Sequence, residues 1–133
     1  PMTFMNVSGV SIKSCIEYFS IAQEKLLIVC DDINISLGKM RMRMKGSSGG
    51  HNGLKSVSLS LDTEEFTRLR IGVDFPPIEQ DLSGYVLGNF TKEQQKILEE
   101  LLPFTSLVSK EWVVKGIAPS MQLAHSYPDC EDE

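Results

Sequence analysis

Residues 39–55 constrain the fold most, because a segment in which basic residues and methionines alternate is followed directly by a glycine-rich segment. Basic residues alternate with methionines over residues 39–45, which is the period-two pattern of a β-strand with one apolar and one cationic face. The string Gly-Ser-Ser-Gly-Gly-His-Asn-Gly follows at residues 46–53 and opens onto a short helical pattern. Backbone N–H groups and the helix dipole at such a junction favour an anion, so we predict an anion-binding site with His51 and Asn52 beside it.

The charge distribution leaves two interpretations of this stretch open. The chain of 133 residues carries a net charge of −5, yet residues 39–55 hold five cations and no acidic residue. An acidic protein with one basic strip is suited to bind a phosphate-bearing ligand at a defined place rather than to coat a polyanion. The alternative is a solvated strand face without a ligand. The basic side chains of the predicted strand are Lys39, Arg41, Arg43 and Lys45.

Two further segments predict strands. Residues 26–30 form a continuous apolar run, which indicates a strand buried on both faces, as in the middle of a parallel sheet. Residues 66–73 alternate between apolar and basic side chains, which predicts a strand with Arg68 and Arg70 on a cationic face. Residues 74–84 contain two prolines and predict a loop, which either closes over a ligand or merely connects two elements.

Two aspartates follow the apolar run directly. Ligands of open α/β sheets gather at the carboxyl ends of the strands, so Asp31 is a candidate for a chemical role. We interpret Asp32 as the residue that starts the next turn. Asn6 precedes the first helical pattern, and its position is compatible with a functional role or with that of a simple turn residue.

Several segments show helical periodicity. Ser8 is a candidate N-cap for a first helix, and Thr91 with Gln94 forms a capping-box pattern for a second. We expect Pro103 to end that second helix and to start a third, which ends near Gly116. A short last helix is predicted around residues 121–126, where His125 is interpreted as a surface residue. The predicted apolar faces are Ile12, Cys15, Ile16 and Phe19 in the first helix, Ile97, Leu98, Leu101 and Leu102 in the second, and Phe104, Leu107, Val108 and Trp112 in the third.

Composition and spacing argue against several classes of protein. No apolar run reaches the length of a membrane span. Cys15, Cys30 and Cys130 are widely spaced and form no CxxC pair, which predicts reduced thiols in a reducing, cytoplasmic compartment. The glycine loop lacks Walker A spacing, no GxGxxG follows a strand, and the two histidines lie far apart. We therefore expect neither a nucleotide cofactor nor a metal.

Four polar side chains remain as candidates for chemistry. Asn6, Asp31, His51 and Asn52 are all placed at element ends near cationic residues. Amide side chains both donate and accept hydrogen bonds, so they can hold a peptide-like group or an attacking water. A carboxylate at the end of a strand can orient a histidine that acts as a general base and can stabilise its charge. Together they suggest hydrolysis of an acyl bond on a phosphate-rich carrier.

Five strings of this sequence match one known family in order and approximate spacing. They are Thr3-Phe4-Met5-Asn6-Val7-Ser8-Gly9, Asp31-Asp32-Ile33-Asn34, Gly49-Gly50-His51-Asn52-Gly53-Leu54-Lys55, Phe66 through Gly72, and Tyr85-Val86-Leu87-Gly88. The chain resembles the bacterial-type peptidyl-tRNA hydrolase family over nearly all of its length. The resemblance implies a single α/β domain over residues 1–133, with a twisted mixed β-sheet flanked by helices. Nothing in the sequence demands more than a monomer.

The resemblance also implies an activity and a set of site residues. The family is a group of cofactor-free esterases that release the peptide from peptidyl-tRNA. Asn6 would lie in the active site, with Phe4 and Met5 lining the same cleft. Asp31 would support the catalytic histidine, and Asn52 would contact the substrate. The residues expected to meet tRNA are Lys39, Arg41, Arg43, Lys45 and Arg70, with His51 next to Asn52 in the substrate-binding set.

The sequence departs from the family at the catalytic base. That base is a histidine in an Arg-His-Asn string, preceded by a Gly-x-Gly-Asn-Pro-Gly turn, and neither string occurs here. His51 occupies the histidine position of the glycine loop and is not its counterpart. Either the chain is the C-terminal part of a longer enzyme, inactive alone and without the first strand, or it is a homologue that lost catalysis and kept RNA binding. The start at Pro1 and the intact Asn6, Asp31 and Asn52 favour the first expectation.

Overall fold

The computed structural model describes residues 8–73 and 90–127. The helices in this part are α1 (Ser8–Phe19), α2 (Asn52–Leu61), α3 (Lys92–Lys115) and α4 (Ile117–His125), with a 3₁₀ turn at Gln23–Lys25. The strands are β1 (Leu27–Asp32), β2 (Met40–Arg43) and β3 (Thr67–Gly72), and they form one mixed sheet in the order β1-β3-β2. The predicted α/β class with a mixed sheet is therefore confirmed. The 74–84 loop and the Tyr85-Val86-Leu87-Gly88 string lie outside the described residues.

These residues divide into two compact units. The first comprises residues 8–28 and Arg43–Arg68. The second comprises Val29–Met42 together with residues 69–73 and 90–127. Most residues of each strand belong to the second unit.

In the first unit, α1 packs on α2, and Gly9 lies at a close contact between the two helices. The N–H group of Gly9 donates to Ser56 Oγ at 2.9 Å. Of the predicted apolar face, Ile12 and Ile16 are half-buried, but Cys15 and Phe19 are exposed, so that part of the prediction is wrong. The close contact with α2 is near the N-terminal end of α1, whereas Cys15 and Phe19 lie in its C-terminal half.

Substituting Gly9 by alanine should lower the free energy of unfolding by about 1–3 kcal/mol, because overpacking forces packed elements apart. A Cβ atom built at Gly9 would lie 2.1 Å from the Ser56 carbonyl oxygen and 2.6 Å from Ser60 Oγ. Urea unfolding of the full-length protein measures the change. The matched control is Ser14→Ala in the same helix, since Ser14 is exposed. Equal unfolding midpoints for the two variants would contradict this account of α1–α2 packing.

In the second unit, the inner strand of the described sheet is β3 and not β1. β3 is buried along most of its length, whereas Val29 in β1 is 45% exposed. The prediction of a β1 strand buried on both faces is therefore wrong, because the described residues leave the face that carries Val29 partly uncovered. β1 is also a border strand of the described sheet and pairs only with β3 there. The predicted cationic face of β3 is also wrong. Arg68 is 0% exposed, and Arg70 is partly buried in an ion pair.

Helix α3 runs through Pro103 without ending there. Proline lacks the N–H group that would donate to the carbonyl four residues earlier, here that of Glu99. Both residues are exposed, so water can satisfy that carbonyl, which is why the predicted break is wrong. The predicted capping box is confirmed, with Thr91 N donating to Gln94 Oε1 at 2.8 Å and Gln94 N donating to Thr91 Oγ1 at 3.1 Å.

The apolar face of α3 is narrower than predicted, and α4 is longer. The buried apolar side chains of α3 are Leu101 and Val108, each 0% exposed. The exposed members of the predicted faces are Ile97, Leu102 and Leu107, and the half-buried members are Leu98, Phe104 and Trp112. Helix α4 already begins at Ile117, and it packs against α3.

Candidate functional site

Strand β2 presents cations on one face, as predicted. Met40 and Met42 are 3% and 0% exposed, whereas Arg41 and Arg43 are exposed. The alternation stops there, because Met44 is 56% exposed. Lys39 and Lys45, which flank the strand, are exposed too. Across residues 8–73 and 90–127, none of these four basic side chains forms an ion pair, so no described carboxylate neutralises their charge.

Helix α4 anchors β2 within the second unit. The backbone N–H of Met42 donates to His125 Nε2 at 3.0 Å, and Ser120 Oγ lies 3.5 Å from Met42 Sδ. His125 is exposed, as predicted, but no pattern in the sequence predicts this hydrogen bond. β2 is a border strand of the described sheet, and backbone N–H groups of a border strand can lack a partner strand. The hydrogen bond to His125 gives the Met42 N–H group an acceptor and holds the segment that carries Arg41 in place.

In the first unit, the glycine loop turns into α2 as predicted. Gly49 and Gly50 have φ of 60° and 86°, which is the left-handed region that glycine tolerates best. His51 N donates to Ser48 O at 3.1 Å, and His51 Nδ1 accepts from Leu54 N at 3.1 Å. His51 is therefore the N-cap of α2. The His51 side chain thus accepts a hydrogen bond from Leu54 N, one of the backbone N–H groups at the helix start that we predicted would bind an anion.

Asn52 is the first residue of α2, and its side chain is exposed. Its amide can both donate and accept hydrogen bonds at the positive end of the helix dipole. The next residues turn inward, since Leu54 and Val57 are each 1% exposed. The capped helix thus holds Asn52 at the protein surface on a rigid element.

Replacing His51 by alanine should lower the free energy of unfolding by about 1 kcal/mol, whereas asparagine should restore most of it, because asparagine is a good N-cap. Urea unfolding of both variants of the full-length protein measures the difference. Lys55→Ala is the matched control, since Lys55 is exposed in the same helix. If His51→Asn and His51→Ala lost the same stability, the capping role would be refuted.

An ion pair lies at the end of the described sheet in the second unit. Arg70 Nη1 is 3.0 Å from Asp32 Oδ2, and Asp32 Oδ1 accepts from Asn34 N at 2.8 Å. Asp32 thus forms the turn that the sequence predicts, and it also holds Arg70, which the sequence does not reveal. Asp31 is half-buried one residue earlier. Successive side chains of a strand point to opposite faces, so Asp31 projects away from the face of this pair.

Backbone bonds at the end of β3 join the two neighbouring strands at this edge. Val73 N donates to Asp32 O at 3.1 Å, and Gly72 N donates to Lys39 O at 2.8 Å. A Cβ at Gly72 would lie 2.1 Å from the Ser36 carbonyl oxygen, so the turn after β1 packs tightly here. This edge therefore brings the segment of Asp31 and Asp32 close to Lys39.

The predicted site residues fall into three groups. His51, Asn52, Arg43 and Lys45 belong to the first unit. Asp31, Lys39, Arg41 and Arg70 belong to the second unit. Phe4, Met5 and Asn6 lie outside the described residues. Convergence of Asn6, Asp31 and Asn52 on one cleft accordingly stays a prediction.

No group of three or more histidine, cysteine, aspartate or glutamate side chains in the part of the chain that the structure describes could hold a metal ion. Of the helices within residues 8–73 and 90–127, none combines the length and the apolar character that crossing a membrane requires.

Comparison with known proteins gives a consistent result. A family model described as Peptidyl-tRNA hydrolase matches residues 1–131. The peptidyl-tRNA hydrolase of Chlorobaculum tepidum is 41% identical over 121 residues, which are 91% of this chain and 65% of that protein. That of Alkaliphilus metalliredigens is 43% identical, with the same shares of 91% and 65%. The chain thus spans slightly less than two thirds of the length of these relatives.

A solved structure is similar as well. The crystal structure of peptidyl-tRNA hydrolase from Acinetobacter baumannii superposes with a TM-score of 0.86 at 31% sequence identity. The similarity covers 96% of this chain and 64% of that one. Sequence and structure comparisons therefore agree on one family.

Proposed function

The chain belongs to the peptidyl-tRNA hydrolase family, and from this premise we propose that the full-length protein hydrolyses the ester bond between a peptide, or another N-blocked aminoacyl group, and tRNA. Water adds to the ester carbonyl carbon, and the bond from that carbon to the ribose oxygen breaks. The products are the free peptide acid and tRNA with its terminal hydroxyl restored. The observation that carries the proposal is the family match over residues 1–131, within which Asp31 and Asn52 are both present.

Asp31 and Asn52 have separate roles in this proposal. Asp31, half-buried in the last part of β1, orients a histidine base and stabilises the positive charge that the ring gains when it takes a proton from water. The base is the histidine of an Arg-His-Asn string, which this sequence does not contain. Asn52, exposed at the capped start of α2, hydrogen-bonds the substrate. The proposal also assigns Asn6 to this polar set and Phe4 and Met5 to the substrate cleft, as the family resemblance implies.

The nucleic-acid part of the substrate meets the cations of and beside β2. Lys39, Arg41, Arg43 and Lys45 are exposed, which supports contact with the phosphates of tRNA. Arg70 joins them, with one guanidinium nitrogen fixed by Asp32. We propose that the protein acts as a monomer. We also propose that it acts in the cytoplasm, a reducing compartment in which the thiols of Cys15 and Cys30 stay free.

A second function deserves the same test: an RNA-binding module without catalysis. It is favoured by one observation, the missing Arg-His-Asn string. The assay incubates the full-length protein with N-acylated aminoacyl-tRNA and measures release of the acyl amino acid, beside a gel-shift titration with tRNA. Release with turnover supports the hydrolase, and binding without release supports the module.

A further inference from the structure

Arg68 is a fully buried cation of the first unit, with 0% of its surface exposed. Its guanidinium donates to backbone carbonyl oxygens of four residues. Nε donates to Phe66 O at 3.2 Å, and Nη1 donates to Gly46 O at 2.7 Å and Ser47 O at 3.3 Å. Nη2 donates to Glu64 O at 2.6 Å and Phe66 O at 3.1 Å. Each of the three guanidinium nitrogens therefore donates to at least one backbone carbonyl oxygen.

These acceptors lie in two segments that are distant in the sequence. Gly46 and Ser47 begin the glycine loop, whereas Glu64 and Phe66 lie just before β3, which begins at Thr67. Gly46 N also donates to Glu64 O at 3.3 Å, and the Arg68 guanidinium lies 4.2 Å from the centre of the Phe66 ring. Arg68 therefore joins the start of the loop to the segment that leads into β3.

Packing alone does not explain an arginine at this buried position. Burial of a charge has a large desolvation penalty, and a well-packed apolar residue of similar volume is often no less stabilising. A planar fork of donors can, however, hold several carbonyl groups in one fixed arrangement. Lysine keeps the charge but has three donors on a single nitrogen, so it cannot reproduce that arrangement.

The glycine loop needs such a constraint at both ends. Gly49 and Gly50 have positive φ and are exposed, so the middle of the loop has little packing of its own. His51 holds the far end through its hydrogen bonds with Ser48 and Leu54. Arg68 holds the near end, and Asn52 follows the loop directly.

We infer that Arg68 is a positioning residue: its guanidinium fixes the start of the glycine loop and thereby the orientation of His51 and Asn52 toward the substrate. The kinetic consequence rests on the proposed function, whereas the effect on the loop does not. Misplacement of a substrate-contacting group by about 1 Å can lower the rate roughly 100-fold.

The test compares Arg68→Lys with Leu101→Ala in the full-length protein. Leu101 is fully buried in α3 and belongs to the second unit, whereas the glycine loop belongs to the first, so its truncation lowers stability by removing packing within another unit. Both variants are assayed at the same interval below their own Tm. Arg68→Lys should lower kcat/KM for N-acylated aminoacyl-tRNA about 100-fold and leave the Kd for uncharged tRNA unchanged. Leu101→Ala should leave both values at the wild-type level.

A second readout reports the loop itself. In ¹⁵N NMR spectra, Arg68→Lys should shift the His51 Nδ1 and Leu54 amide signals and speed amide exchange over residues 48–54. Leu101→Ala should leave these signals unchanged. Wild-type kinetics and spectra for Arg68→Lys would overturn the inference, as would an equal loss of kcat/KM in Leu101→Ala. If the wild-type protein released no acyl amino acid, the proposed hydrolase would fail, and the NMR comparison alone would decide the role of Arg68.

Discussion

Replacing Asp31 by alanine in the full-length protein should lower kcat for N-acylated aminoacyl-tRNA by about 10²- to 10⁴-fold and leave the Kd for tRNA nearly unchanged. A carboxylate that orients a histidine base and stabilises its charge acts mainly in the transition state, when the ring takes up a proton. The loss therefore falls on kcat rather than on binding. Single-turnover release and gel-shift titration measure the two quantities separately.

The neighbouring aspartate offers a matched control. Asp32 is 8% exposed and is engaged by Arg70 and by the backbone of Asn34, so its role is structural. Asp32→Asn should lower the free energy of unfolding by about 2 kcal/mol, because the amide carries no charge for Arg70 and has one acceptor oxygen where the carboxylate has two. Its kcat should fall much less than that of Asp31→Ala. Unchanged turnover in Asp31→Ala would refute the proposed support of the base.

Raising the salt concentration from 50 to 200 mM should weaken tRNA binding by about 10²-fold. The estimate follows from the four exposed cations Lys39, Arg41, Arg43 and Lys45, each displacing counterions from one phosphate, and it leaves out Arg70 because Asp32 already pairs with that charge. With a slope of roughly −0.7 to −0.9 per phosphate contact in a plot of log K against log salt, four contacts give roughly 50- to 150-fold. Gel-shift titrations at several salt concentrations provide the slope.

Single substitutions show where the phosphates bind. Arg43→Gln should reduce the magnitude of the salt slope by about one and weaken binding of different tRNAs alike. Lys92→Gln is the matched control, since Lys92 is an exposed cation at the start of α3. A slope that changes equally in both variants, or in neither, would remove β2 from the proposed tRNA surface.

The features that the sequence predicts correctly are local. The alternation of β2 and the capping box of Thr91 with Gln94 both depend on residues within a few positions of each other. The turn from the glycine loop into α2 is also local, because glycine at positive φ and a capped helix start are encoded nearby. The family resemblance then added the candidate roles of Asp31 and Asn52, which residue patterns alone left open.

The errors concern partners that are distant in the sequence. An apolar run such as β1 does not reveal which neighbours it will have, and β3 contains two arginines yet is the inner described strand. The buried Arg68 guanidinium donates to the carbonyl oxygens of Gly46 and Glu64, and no periodic pattern encodes such partners. The hydrogen bond from Met42 to His125 joins residues 83 positions apart and was invisible for the same reason.

Hydrolysis by the full-length protein is the central claim, and single-turnover release of the acyl amino acid from N-acylated aminoacyl-tRNA tests it most directly. Enzyme in excess over substrate, with tRNA binding saturated, removes any contribution from affinity. The account predicts first-order release far above the uncatalysed rate, with a loss of about 10²-fold or more in Asp31→Ala. Saturated binding with release at the uncatalysed rate would contradict it and would leave an RNA-binding protein.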